Sequence, residues 1–169
     1  MSSLELSDRY MSIQDNLGKL AEKQLAKWLH RPSDGYCFER IPDQLSGFYG
    51  SKNICDFFLY KSPNMYFIES KATHKDRFDF TMVTEYQWAN LLSRSKIDGV
   101  YGLVIVLFAT HQRAFILDIQ DLEAAKQAGI KSLNITKIAK WKVPYKEIQT
   151  VPSRKQLLDY TGDIEDYFG

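Results

Sequence analysis

Residues 54–73 place the strongest constraint on how this chain can fold. Two apolar, aromatic-rich runs flank residues 61–64, where proline presets φ and asparagine tolerates unusual backbone angles. This pattern predicts a β-hairpin of two largely buried strands. With residues 61–64 as the loop, Asp56 lies opposite Glu69, and the alternation of side chains along a strand puts Lys71 on the same face.

Two opposed carboxylates in a hairpin need a compensating partner. At a separation of ~5 Å and an effective dielectric constant near 20, they repel each other by about 3 kcal/mol. A shared proton, a bound cation or a nearby ammonium group compensates, and Lys71 favours the last two together. Hard divalent cations such as Mg²⁺ take carboxylate oxygens and keep several waters, one of which can become a nucleophile. The alternative is an exposed hairpin with its register slipped by one, which the apolar flanking residues disfavour.

The order of Asp56, a hairpin and then Glu69-Ser70-Lys71 resembles the PD-(D/E)xK nuclease signature, with Cys55 where the motif's proline usually stands. That motif is degenerate by itself, and its surroundings narrow the resemblance. The motif and the features around it are together similar to the RecU-type Holliday-junction resolvases over roughly residues 14–120, particularly to the compact forms carried by phages of Gram-positive bacteria. The surrounding features are Ser51, the run 69–73, Gln87 within residues 84–87, the apolar run 99–108 and residues 113–118.

The resemblance implies a homodimer with a restriction-endonuclease-like α/β core, in which a central mixed β-sheet is flanked by helices. It also implies Mg²⁺-dependent phosphodiester hydrolysis of four-way DNA junctions, with Mn²⁺ expected to substitute. The metal is expected at Asp56 and Glu69, joined by Glu22 and the carbonyl of Ser70. Lys71 is expected to orient the attacking water and to offset charge in the transition state.

The distribution of charge says more about partners than the total does. The 169 residues predict a single domain, and a hydrophobic content of 44% fits a globular chain. The formal net charge is only +1, yet residues 126–155 hold eight Lys/Arg and one acid, and residues 157–169 hold four acids and no base. Cys37 and Cys55 give no disulfide framework, and neither a signal peptide nor a membrane-spanning run is evident. We therefore expect a cytoplasmic protein, and the resemblance implies that the cell is bacterial.

Apolar spacing predicts a first helix over residues 13–29, preceded by a polar, mobile segment 1–12. Glu22 lies at the border of the apolar stripe of this helix, where most glutamates are solvated. In RecU-type enzymes, however, a glutamate of the first helix reaches the metal site. Both interpretations of Glu22 stay open at this point.

A second helix is predicted over residues 84–96, with Trp88, Leu91, Leu92 and Ser95 on its core face. Thr84 and Gln87 have the spacing of a capping box, so Gln87 can serve as a structural cap. The resemblance implies instead that Gln87 is an active-site residue that positions the nucleophile or a phosphate oxygen.

Hydropathy and turn residues predict the remaining elements. His111 is expected to be a turn residue and not a ligand. The expected elements are a strand over 36–41, a buried central strand over 101–109, a strand over 113–119, a helix over 121–128 ended by Gly129, an irregular basic segment over 130–150 and a short helix over 153–160.

Seven residues are expected to contact DNA. The basic ones would neutralise backbone phosphates and give salt-dependent binding, although residues 74–77 also fit an ordinary solvated turn. Residues 42–52 form a short DNA-facing loop, where RecU-type enzymes carry a longer projection; its two aromatics either stack on unpaired bases or pack on a dimer partner. The seven residues are Phe48, Tyr49, Lys52, Lys61, Thr73, Lys75 and Arg77.

Two rival functions stay open. The first keeps the chemistry but changes the substrate, giving a restriction- or repair-type nuclease that acts on duplex DNA. The second drops the chemistry, giving a DNA-binding recombination accessory protein with a vestigial site. The intact set of Asp56, Glu69 and Lys71 disfavours the second, because a binding module has no need of opposed carboxylates.

Overall fold

A six-stranded mixed sheet forms the centre of the protein. The structure is a computed structural model that describes the backbone of residues 3–30, 35–42 and 52–168, with side chains from residue 16 onward. The helices and strands are α1 (Ser3–Leu29), β1 (Tyr36–Arg40), β2 (Phe57–Lys61), β3 (Asn64–Thr73), β4 (Arg77–Asp79), α2 (Glu85–Ser95), β5 (Val100–Phe108), β6 (Arg113–Asp118), α3 (Ile119–Gln127), β7 (Ser132–Asn134), β8 (Lys146–Ile148), β9 (Thr150–Val151) and β10 (Asp159–Tyr160). The main sheet has the order β1-β2-β3-β5-β6-β8, and β3 and β5 are its parallel pair.

Helices cover both faces of this sheet, so the core has two layers. The apolar stripe of α1 packs on one face, whereas α2 and α3 pack on the other. The central strand β5 is buried on both faces and sends alternate side chains into the two layers, as expected for a strand with neighbours on each side. Gly102 allows α2 to approach β5, because a Cβ at this position would lie 2.8 Å from the carbonyl oxygen of Leu91. The predicted α/β class with a central mixed sheet is confirmed.

The predicted register of the central hairpin is also confirmed. Phe57 pairs with Ile68 and Lys61 pairs with Asn64, so the loop shortens to two residues. Asp56 directly precedes β2, and its N–H donates to the carbonyl oxygen of Ile68 at 3.0 Å. This bond is one residue out of the register of the ladder, which ends at Phe57, so the structure places Asp56 beside Glu69 but not in the directly opposed pair that was predicted.

The two ends of the chain differ from the sequence prediction. α1 begins at Ser3, ten residues before the predicted start, so the prediction of a mobile segment 1–12 was wrong for the described part of that segment. Its polar start lacks an apolar stripe, but adding residues to an existing helix needs only adequate helix propensity. The helix predicted over 153–160 was also wrong, because this segment contains no helix and ends in β10, which pairs with β9. Tyr160 stacks on Trp28 at 5.3 Å between ring centroids, so tertiary packing overrides local propensity.

The basic segment 130–150 is not irregular, contrary to the prediction. It contains β7, which pairs with β4, and β8, which joins the edge of the main sheet beside β6. Strands of three residues give no readable periodicity, which explains the error. The acidic residues after 157 likewise form no detached tail, since Phe168 is fully buried in the layer beneath α1. No helix in the described part of the chain is long and apolar enough to cross a membrane.

Candidate active site

The hairpin brings two carboxylates and an ammonium group together at its open end. The Glu69 side chain is only 2% exposed, and its Oε1 lies 2.7 Å from Nζ of Lys71. Its Oε2 is buried without a hydrogen-bond partner among the described residues. Oδ2 of Asp56 accepts a hydrogen bond of 2.7 Å from the backbone N–H of Ser70. The site thus holds one carboxylate oxygen that no described group satisfies.

Burial makes the charged forms of both carboxyl groups costly. Burial, followed by the charges of Glu69 and Glu22, raises the pKa of Asp56 to about 8, against the opposing effect of the Ser70 N–H. Burial also raises the pKa of Glu69, although Lys71 and Gln87 counteract it. Without further positive charge, the pair therefore resists full ionisation at neutral pH.

The donor set fits a hard divalent cation. Asp56 and Glu69 offer oxygen ligands, and the orphan Oε2 of Glu69 is a group that a cation would satisfy. No group of three or more His, Cys, Asp or Glu side chains lies in metal-binding proximity within the described residues. A cation that keeps several water ligands, as Mg²⁺ does, fits such a sparse set better than a closed structural metal site would.

Gln87 caps a helix and contacts the site at the same time. Its backbone N–H donates to Oγ1 of Thr84 and its Oε1 accepts from the Thr84 N–H, which completes the predicted capping box of α2. Its Nε2 donates to Oε1 of Glu69 at 2.8 Å. The two interpretations drawn from the sequence are therefore compatible, because one amide serves both purposes. The catalytic importance of Gln87 stays a prediction.

Replacing Gln87 by Ala should lower both stability and cleavage, whereas Thr84→Ala should lower stability alone. Each change removes one of the two bonds of the capping box, at a cost of about 1 kcal/mol, but only Gln87→Ala also removes the donor to Glu69. We expect a loss in cleavage rate per folded molecule of about tenfold for Gln87→Ala, measured beside chemical denaturation of both variants. A Gln87→Ala protein that melts earlier yet cleaves normally would leave the cap as its only role.

Glu22 lies beside the carboxylate pair but has its own partner. Its Oε2 accepts from Arg40 at 2.9 Å, and its charge contributes to the raised pKa of both Asp56 and Glu69. Arg40 ends β1 and was missed by the sequence interpretation; a basic residue at the end of a predicted strand was its only signal. Glu22 is thus neither a distant flank residue nor a direct partner of the other two carboxylates.

The charge of Glu22 should matter for metal binding. We expect Glu22→Gln to raise the Mg²⁺ concentration needed for half-maximal cleavage and to lower turnover at least about tenfold. Arg40→Gln is the matched control, because it breaks the same ion pair but leaves the carboxylate in place. Titration calorimetry with Mg²⁺ gives the affinity without cleavage. Unchanged Mg²⁺ affinity and unchanged turnover in Glu22→Gln would show that Glu22 is only a solvated flank residue.

The predicted DNA-contacting residues divide into three groups. Lys52, Lys75 and Arg77 are exposed, and the last two follow directly after β3 at the end of the sheet that holds the carboxylates. Thr73 is buried, and its hydroxyl oxygen accepts from the N–H of Lys75, so it supports the loop after β3, and its contact with DNA stays a prediction. Phe48 and Tyr49 lie outside the described residues.

The placement of Lys61 beside the site was wrong. Lys61 lies at the closed end of the hairpin, five residues from Asp56 and thus about 16 Å along the strand. Its ammonium group pairs with Glu165. The error arose because proximity in sequence was taken for proximity in space, although a strand carries its two ends apart.

Two neighbours of the site have structural roles. Burial raises the pKa of the Cys55 thiol to about 12, so this residue is an inert core side chain, as predicted. Nε2 of His111 lies 2.6 Å from Oδ1 of Asp76, and Oγ1 of Thr110 donates to the carbonyl oxygen of His74. His111 therefore anchors the loop after β3, which agrees with its expected place in a turn.

A mixed sheet whose central hairpin presents Asp56, Glu69 and Lys71 beside a capped helix defines a restriction-endonuclease-like nuclease of the PD-(D/E)xK class. The chain belongs to the RecU family, described as Recombination protein U, which matches residues 40–165. The resemblance drawn from the hairpin motif is confirmed, and with it the class of junction-resolving endonucleases, which depend on divalent metals. The phage origin stays a prediction.

Other known proteins add little to the family match. No curated protein matches the chain significantly. Among solved structures, the chain is similar to Archaeoglobus fulgidus Hjc, a Holliday junction resolvase from an archaeal hyperthermophile solved at 1.6 Å. The identity is 15%, the TM-score is 0.43, and the similarity covers 62% of this chain and 78% of that one.

Proposed function

We propose that this chain is an endodeoxyribonuclease that resolves four-way DNA junctions by Mg²⁺-dependent phosphodiester hydrolysis, with Mn²⁺ able to substitute. The observation that carries the proposal is the buried pair of Asp56 and Glu69, with one unsatisfied oxygen, beside Lys71. Membership of the RecU family supplies the class of substrate. The protein acts as a homodimer, because resolution requires two strands of like polarity to be cut, and its DNA substrate places it in the bacterial cytoplasm.

Each residue of the site has a task in this reaction. Asp56 and Glu69 would hold the cation, with the Ser70 carbonyl and, once released from Arg40, Glu22 completing the set. A bound divalent cation supplies Lewis acidity toward a phosphate oxygen and lowers the pKa of a bound water. Lys71 stays close to Glu69, where its ammonium group orients the attacking water and offsets the charge that develops on the phosphate.

Gln87 positions Glu69 for this task. Its Nε2 donates to Oε1 of Glu69, which is also the oxygen that faces Lys71. The other oxygen, Oε2, is thereby left without a partner in the described structure. The amide and the ammonium group together fix the rotation of the carboxylate, so that its free oxygen is available to a ligand.

Exposed basic residues would contact the DNA backbone at this end of the sheet. Lys52 and Lys75 are exposed and form no ion pair in the described part of the chain, so they are available to phosphates. Nε of Arg77 lies 2.8 Å from Oδ1 of Asp79, and a phosphate contact would have to displace this carboxylate. Contacts of this kind position DNA without reading its sequence.

The decisive experiment is cleavage of a labelled synthetic four-way junction with Mg²⁺, with Mn²⁺ and with a chelator. A linear duplex of the same sequence is run beside it. We expect metal-dependent cleavage of the junction and little cleavage of the duplex. Equal cleavage of both substrates would favour a duplex nuclease, whereas binding without cleavage in either metal would favour an accessory DNA-binding protein.

Phe48 and Tyr49 should contribute to selectivity for junctions. The loop 42–52 is short, and these aromatics are its only large rings, so stacking on unpaired bases at the crossover would contribute about 1–3 kcal/mol per base. We expect the double change Phe48→Ala and Tyr49→Ala to lower junction affinity far more than duplex affinity, while the protein stays dimeric. Equal losses on both substrates would contradict this role, and dissociation to monomers would show that the rings pack on the partner.

A further inference from the structure

Three exposed lysines lie in a part of the fold that the cleavage site does not use. They are Lys137, Lys140 and Lys142, here called the basic platform, and none of them pairs with a carboxylate within the described residues. Lys137 and Lys140 belong to a short 3-10 helix over Ile135–Lys140. The sequence shows a basic stretch here, but only the fold shows where it is displayed.

The basic platform is joined to the loop that follows β3. β7 pairs with β4 so that Asn134 lies opposite Arg77, and the N–H of Ile135 donates to the carbonyl oxygen of Asp76 at 2.8 Å. The Trp141 ring lies 6.2 Å from the ring of Phe108, the last residue of β5. Phe108 pairs with Thr73, the last residue of β3. The platform is therefore fixed at the same end of the sheet as the carboxylates.

The platform is rigid at its base and positively charged at its surface. The side chains of Leu133, Ile135 and Val143 are buried in the layer beneath it. The acids on the adjoining strands and turns already have partners: Asp76 contacts His111, Asp79 pairs with Arg77, and Glu147 forms a two-pronged ion pair with Arg113. The lysine charges are thus left available for an external anion.

The distance of the basic platform from the carboxylates indicates which anion the platform can bind. Thr73 lies four positions after Glu69, or about 13 Å along β3, and Trp141, between Lys140 and Lys142, packs at the level of Thr73. The lysines therefore lie too far out to touch a phosphate that is being cleaved at Glu69. A DNA duplex carries one charge per ~1.7 Å of its axis, so an arm that leaves the site presents phosphates at this range.

We propose that the basic platform is a second phosphate-binding surface, which holds a duplex arm of the junction outside the cleavage site. This inference rests on the proposed function, because it takes the bound nucleic acid to be branched DNA. The platform contributes affinity for the junction that depends on arm length. It does not distinguish one base from another, because lysines contact phosphates as point charges.

The test compares two double variants with the same loss of charge, both made in a Glu69→Gln background so that the DNA stays intact. One is Lys137→Gln with Lys140→Gln. The control is Lys96→Gln with Lys146→Gln, since Lys96 follows α2 at the opposite end of the sheet and Lys146 lies beside Tyr101 and Tyr167 on the other face. Binding is measured by fluorescence anisotropy over a range of salt, with junctions whose arms span two helical turns or half a turn.

We expect the platform variant to lose about tenfold in affinity for the long-armed junction and little for the short-armed one. The slope of log affinity against log salt should fall by roughly 1.8, or about 0.9 for each lost contact, and Lys→Arg changes at the same positions should restore it. The control should keep its slope. An unchanged slope in the platform variant, or equal losses in both variants, would overturn the proposal.

A separate measurement, cleavage of junctions with Mg²⁺, tests the proposed function. A protein with intact Glu69 that fails to cleave junctions with Mg²⁺ would overturn the nuclease assignment. A protein that cleaves normally, but whose platform variant keeps its salt slope, would overturn the second surface alone. That last result would indicate that the lysines serve an acidic protein surface instead of DNA.

Discussion

Asp56→Asn should abolish cleavage and raise the stability of the metal-free protein. The amide still accepts the hydrogen bond from the Ser70 N–H, but it is a poor metal ligand and carries no charge that repels Glu69. We expect a loss in cleavage rate of at least about 10³-fold. Glu69→Gln should lose cleavage to the same extent, with stability unchanged or raised. Asp98→Asn, at the exposed turn before β5, is the matched control for a lost carboxylate.

The gain in stability should depend on pH in a defined direction. Burial raises the pKa of Asp56 to about 8 in the folded protein, from 3.8 in the unfolded chain. Between these values the folded state keeps a proton that the unfolded state has lost, so the free energy of unfolding falls as pH rises. Asp56→Asn removes this slope, so its advantage over the unaltered protein should be greatest above pH 8, on the order of 2–4 kcal/mol.

Denaturation in the presence of a chelator, below pH 4 and above pH 8, measures this difference. If stability depends on pH equally in Asp56→Asn and in the unaltered protein, Asp56 is not the group whose pKa is raised on folding. Cleavage at the normal rate by either carboxylate variant would refute the site assignment.

Lys71→Met should lower the stability of the protein, whereas Asp56→Asn should raise it. Nζ of Lys71 lies 2.7 Å from Oε1 of a nearly buried carboxylate, so its removal leaves the Glu69 charge uncompensated. Removing one partner of a buried ion pair costs about 3–5 kcal/mol, mostly because of the charge left behind. We also expect turnover to fall by about 10²–10³-fold, as for the loss of one transition-state donor.

The double variant Lys71→Met with Glu69→Gln separates the two effects of this pair. It removes both charges, so it should recover most of the lost stability while it stays inactive. The measurements are denaturation and cleavage of the labelled junction by each single variant and the double variant. Near-normal turnover in Lys71→Met would limit Lys71 to a structural role.

The hairpin could be predicted from the sequence because its information is local. Turn residues and two apolar runs define the register from Phe57 to Lys61, and this register brings Asp56 and Glu69 to the same end of the hairpin. The capping box at Thr84 and Gln87 is also a local pattern. The contact between Gln87 and Glu69 was not predictable from spacing, because it depends on how closely α2 approaches the sheet.

The errors concern features that depend on distant partners. Arg40 meets Glu22 only because β1 runs beside α1, and nothing near either residue in the sequence indicates the pair. The helix expected over 153–160 gives way to a non-helical segment because the buried Leu158 and the partly buried Tyr160 pack in the layer beneath α1. The three-residue strands β7 and β8 are set by their neighbours and not by their own composition.

The burial of Phe168 beneath α1 has a consequence for the order of events during synthesis. α1 leaves the ribosome before the strands of the sheet, whereas Ile164 and Phe168, which cover part of its apolar surface, leave after them. Until they emerge, Trp28 also lacks the Gly162 carbonyl that accepts its indole hydrogen bond. The nascent chain therefore exposes apolar surface on this layer until residues 164–168 have emerged, and such surface is what chaperones bind.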